Sequence, residues 1–75
     1  MVRNEDILSI LEAMGTNVEP GRLKVDAPLV SQGFDSLDMA TLMFEIETKF
    51  NVSMPPEKTA KLRTVEQITD YLNQS

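Results

Sequence analysis

Cysteine and histidine are both missing from this sequence, and basic residues are outnumbered by acidic ones. Without cysteine there is no disulfide framework and no thiolate metal site, and without histidine the commonest zinc ligand is gone as well. A nucleophilic serine needs a base within reach, and this chain has neither a histidine nor a glycine-flanked nucleophile elbow, so self-contained serine catalysis is not expected. No Asp-x-Asp-x-Asp-Gly calcium loop is present either. Long apolar runs are lacking: nothing approaches the roughly 20 residues of a membrane span, and Met1-Val2-Arg3-Asn4-Glu5-Asp6 lacks the basic flank and apolar stretch of a signal peptide. The expectation is a soluble, cytoplasmic, freestanding monomer with a single domain over residues 1–75, close to the size at which stability is marginal.

Charge narrows the partners. Twelve acidic against seven basic residues give a net charge of −5, which repels phosphate backbones and anionic bilayers. Nucleic acid and membrane are therefore not expected partners, whereas proteins with basic surfaces are.

Apolar residues recur at helical spacing in three stretches. Asn4 reads as an N-cap, Glu5 and Asp6 put negative charge in the first turn, and Ile7, Ile10, Leu11 and Met14 form a stripe that Gly15 ends. From Thr16 to Phe34 the pattern dissolves around Pro20-Gly21, Pro28 and Gly33, which predicts a long loop pinned by Leu23, Val25, Leu29 and Val30. So long a loop in so small a chain is usually functional or conspicuously packed. A second helix is predicted from Ser36 to about Phe50, with Lys49 in its last turn and Asn51 beyond its end. Pro55-Pro56 then breaks the chain, with one or two helical turns from Pro56 to Lys61. Thr64 and Gln67 form a capping box for a closing helix with Val65, Ile68, Tyr71 and Leu72 inside, fraying through Asn73-Gln74-Ser75. No strand alternation is present, so the fold class is all-α: a small helical bundle of three main helices plus one short helix.

The second helix carries the most information. At about 100° per residue, Met39, Leu42, Met43, Ile46 and Phe50 share one stripe, the expected core face. Leu37, Ala40, Thr41 and Phe44 fall opposite, bordered by Asp38 and Glu45 on one edge and Glu47 on the other. An exposed apolar strip with an acidic border is a docking surface in outline. At the head of this helix Asp35 is the expected N-cap and Asp38 an N3 acceptor, which makes Ser36 the N1 residue with its hydroxyl outward. Free amides and the positive end of the helix dipole gather there, so a phosphate esterified to Ser36 would be well placed. The core is expected to rest on Ile7, Leu11, Met43, Ile46, Phe50, Ile68 and Leu72. Five methionines add flexibility, with Met39, Met43, Met54, Ile46 and Ile68 expected to line a space that opens around a guest chain.

The segment Gly33-x-Asp35-Ser36-Leu37 resembles the motif of the acyl carrier protein family, and the resemblance covers nearly the whole chain. Helix, long loop, serine-headed helix, proline-broken short helix and closing helix follow in the same order, with Glu47, Phe50, Pro55 and Tyr71 in fitting places. The resemblance implies a four-helix carrier, not an enzyme, whose Ser36 receives 4′-phosphopantetheine from coenzyme A through a phosphopantetheinyl transferase. The arm's thiol would hold acyl groups as thioesters and present them to acyl-loading and acyl-processing enzymes with basic docking surfaces. The partner surface it implies comprises Asp35, Leu37, Asp38, Ala40, Thr41, Phe44, Glu45 and Glu47. The sequence departs from fatty-acid carriers at Thr41, Thr48 and Lys49, which interrupt the acidic run, and at Lys58, Lys61 and Arg63, set against Glu57 alone. Gln32 stands where the family often has an apolar residue, and Phe34 before Asp35 is similar to polyketide or peptide-synthesis carriers. A carrier for fatty-acid, polyketide or related specialised synthesis is therefore implied. The alternative is an unmodified helical interaction module that docks through the exposed face of the helix from Ser36 to Phe50.

Overall fold

A computed structural model of the chain describes residues 1–15 and 20–74. Among these residues the regular structure is wholly helical: α1 (Asn4–Ala13), α2 (Ser36–Phe50), α3 (Pro56–Thr59) and α4 (Val65–Gln74). Two 3₁₀ turns, Pro20–Arg22 and Leu29–Gln32, lie between α1 and α2. The all-α bundle expected from the periodicity is what forms. The start of the long loop, 16–19, lies outside the described residues, as does Ser75 at the predicted fraying end.

Local chemistry sets the helix ends, with three corrections. Arg3, not Asn4, is the N-cap of α1. Asp6 at N3 decides this, since its carboxylate accepts the Arg3 N–H at 2.9 Å and thereby holds Arg3 extended at the helix start. Gly15 follows the helix with φ +71°, and Asn51 ends α2 with φ 54°, both in the left-handed region predicted for these stops. Pro56 is N1 of α3, but that helix stops at Thr59 rather than reaching Lys61 and buries none of its residues. α4 begins with the expected capping box: the Gln67 N–H donates to Thr64 Oγ1 at 3.0 Å, and Gln67 Oε1 accepts from the Thr64 N–H at 3.2 Å. At the other end Asn73 is clamped rather than frayed. Its side-chain amide accepts from the Val2 N–H at 2.8 Å and donates to the Val2 carbonyl at 2.9 Å, tying α4 to the start of the chain.

α1 packs against both α2 and α4. Their inner faces supply Ile7, Ile10 and Leu11, then Leu42 and Ile46, then Val65, Ile68 and Leu72. Met43 and Phe50, expected in the core, are only half-buried. Their place is taken by Leu29 and Phe34 from the long connection and by Met54 after α2. The connection is thus packed: Leu23 and Val25 are half-buried anchors, while Val30, expected to be one, is 58% exposed. Main-chain bonds fasten it to the chain beyond α3, from the Leu29 N–H to Arg63 O at 2.9 Å and from the Glu66 N–H to Val25 O at 3.0 Å. Gln32, the polar departure, closes the loop on itself. Its amide accepts from the Lys24 N–H at 2.7 Å and donates to the carbonyls of Lys24 and Ala27, each at 3.0 Å. An apolar side chain there would leave those groups to water.

Candidate functional site

Ser36 is placed by what precedes it. Gly33 caps the Leu29–Gln32 turn with φ 110°, a conformation that costs a side-chain-bearing residue dearly, and its N–H bonds back to Leu29 O. The Phe34 N–H also reaches Leu29 O, at 3.3 Å, while its ring is buried in the core. Asp35 then emerges extended and caps α2: its Oδ1 accepts the Asp38 N–H at 2.8 Å, and Asp38 Oδ2 accepts the Asp35 N–H at 3.1 Å. This reciprocal box is the one predicted, and it occupies both carboxylates with backbone amides. Ser36 follows as the first residue of α2, exposed, with no hydrogen bond to its hydroxyl among the described residues.

Beside Ser36 a cavity of about 350 Å³ opens, lined by Val30, Ser36, Met39, Thr59, Ala60, Leu62 and Arg63. That volume is at the lower end of small-molecule sites. Its walls come from the Leu29–Gln32 turn, the head of α2, α3 and the link to α4, and they are mainly apolar. The space expected to open around a guest chain meets this cavity at one residue. Of Met39, Met43, Met54, Ile46 and Ile68, only Met39 lines the space; Ile46, Met54 and Ile68 are sealed in the core. That Val30, Thr59, Ala60, Leu62 and Arg63 meet at the site was not legible in the sequence, because they come from irregular or very short segments with no periodic signal.

The outer face of α2 has the predicted composition. Leu37 and Phe44 are 73% and 64% exposed, and Ala40 and Thr41 are exposed between them. The Thr41 hydroxyl turns back to Leu37 O at 3.1 Å and the Thr48 hydroxyl to Phe44 O at 3.1 Å, so their polar atoms are satisfied within the helix. The acidic border is less uniform than its sequence suggests. Glu45 is exposed, Asp38 is half-buried in the cap, and Glu47 is half-buried with its carboxylate accepting the Met54 N–H at 3.1 Å. Glu47 therefore staples the segment after α2 to the helix and is not free at its edge.

A family model described as phosphopantetheine attachment site matches residues 8–72. The chain is 36% identical over 64 residues to an acyl carrier protein of Bdellovibrio bacteriovorus, covering 84% of this chain and 80% of that protein. It is 37% identical over 57 residues to one of Wolinella succinogenes, covering 75% of each. An acyl carrier protein of Chlorobium phaeobacteroides gives 36% over 64 residues, again 84% of this chain and 80% of the relative.

Proposed function

The chain belongs to the acyl carrier protein family, with its phosphopantetheine attachment domain, and on that premise we propose that Ser36 is the residue that bears the 4′-phosphopantetheine arm. The observation that carries this reading is the exposed, unengaged hydroxyl at the first position of α2, opening on an apolar cavity within the matched residues. The surroundings fit the group. The helix start offers free amides and the positive end of the dipole toward a phosphate ester, and the cavity offers apolar walls beside it. When bound, the arm supplies a thiol that holds acyl groups as thioesters.

The residues of the chain divide the remaining work. Asp35 and Asp38, each through one carboxylate oxygen on a backbone amide, hold the helix head so that Ser36 projects toward a transferase. Leu37, Ala40, Thr41 and Phe44 give a partner enzyme contact area, and Glu45 steers basic surfaces toward it. The chain thus presents and protects cargo for acyl-loading and acyl-processing enzymes of fatty-acid, polyketide or related synthesis.

Intact-mass measurement after incubation with coenzyme A and a phosphopantetheinyl transferase tests the reading. One arm is expected on the wild type and none on Ser36→Ala, with unchanged helicity in the variant. Gain persisting in Ser36→Ala, at Ser31 or Ser53 for example, would move the attachment site elsewhere. No gain in the wild type would leave the unmodified interaction module.

A further inference from the structure

Arg63 is the one charged side chain lining the cavity that Ser36 opens on. Its backbone is held on both sides: the carbonyl accepts the Leu29 N–H at 2.9 Å, and the N–H donates to Gln67 Oε1 at 2.8 Å. The residue is thereby fixed between the turn that leads to Ser36 and the first turn of α4, while its side chain remains exposed. No carboxylate among the described residues pairs with the guanidinium. The other lining residues are apolar apart from Ser36 and Thr59. An apolar recess with a single unpaired cation in its wall suits a ligand that is anionic at one end and uncharged beyond it.

Resting on the reading that Ser36 bears the arm, we propose that Arg63 binds the phosphodiester of that arm and so seats the first part of the arm against the cavity wall formed by Val30, Met39 and Leu62. A phosphodiester on Ser36 Oγ is anchored at the cavity by its own covalent bond, so Arg63 meets it without the entropic cost of capturing a free ion. The guanidinium is suited to the task because its planar fork offers paired donors to two phosphate oxygens, where a lysine would offer a point charge. Lys58 and Lys61 belong to the same basic stretch but do not line the cavity, so they add only to the surrounding field. Within that basic stretch Arg63 thus has a local purpose: it neutralises the charge that modification adds at the head of α2.

Phosphorus NMR of the modified protein tests this, using wild type, Arg63→Gln, Arg63→Lys and Lys61→Gln, each first confirmed by mass to carry the arm. In the wild type the phosphodiester resonance is expected to move with added salt toward its position in Arg63→Gln, which itself is insensitive to salt. Arg63→Lys is expected between the two and Lys61→Gln at the wild-type position. In parallel, modification should raise the melting midpoint of the wild type and leave that of Arg63→Gln nearly unchanged. A resonance at the same place in wild type and Arg63→Gln, or displaced as far by Lys61→Gln, would overturn the proposal while leaving attachment at Ser36 intact. A wild type that gains no arm would instead overturn the attachment reading.

Discussion

Gln32 shows how one side chain governs the approach to Ser36. Its amide makes three hydrogen bonds to Lys24 and Ala27, shaping the loop that ends in the Leu29–Gln32 turn. A net hydrogen bond contributes about 0.5–1.5 kcal/mol, and removing one partner costs more where the other is left dry. Because the Lys24 groups it holds are exposed and water replaces it there, Gln32→Ala is expected to destabilise the fold by about 0.5–1.5 kcal/mol in urea unfolding and to slow modification of Ser36. Gln32→Glu is expected to fare no better, since a carboxylate can replace the acceptor for the Lys24 N–H but not the donor to the two carbonyls. Asp35, the N-cap, is similarly specific, and substituting it by alanine should cost about 0.5–2 kcal/mol.

Among the elements, α2 separates stability from recognition by face. Leu42 and Ile46 are fully buried, whereas Leu37 and Phe44 stand out on the opposite side. Of the three acids bordering that outer strip, Glu45 alone is exposed and uncommitted to a backbone amide, so it is the clean probe of steering. Glu45→Lys is expected to slow transferase modification several-fold at low salt and much less at high salt, as screening shortens the reach of the charge. Phe44→Ala is expected to raise the dissociation rate of partner enzymes with little effect on association. Stopped-flow binding at two ionic strengths checks both. Charge reversal at Asp38 or Glu47 would mix recognition with lost capping or a lost staple to Met54, and a fall in the melting midpoint of those variants alone is the expected sign of it.

For the whole molecule, the central fact is that the cavity beside Ser36 lies at the mouth of the bundle. Ile46, Ile68 and Met54 are packed away from solvent, while the cavity of about 350 Å³ sits between the head of α2, α3 and the Leu29–Gln32 turn. α3 buries no residue, so it is the wall most readily displaced. Acyl thioesters of increasing length are therefore expected to raise the melting midpoint at first, each buried methylene contributing roughly 0.8 kcal/mol, and to level off once the cavity is filled. Flat midpoints across the series would place the acyl chain in solvent.

Much of this was legible in the order of residues, because the interactions that decide it span four residues or fewer. The caps at Asp35 and Thr64, the stops at Gly15 and Asn51, the break at Pro55-Pro56, and the two faces of α2 all follow from local hydrogen bonding and helical period. The same reasoning put Ser36 at the first position of its helix, with its hydroxyl free. What only the tertiary structure decided depends on segments far apart in the chain meeting: Asn73 on Val2, Leu29 on Arg63, Glu47 on Met54, and Phe34 within the core. None of these has a periodic signature, since irregular backbone turns its side chains wherever packing and unsatisfied amides demand. The cavity beside Ser36, and the arginine in its wall, exist only because three such segments converge there.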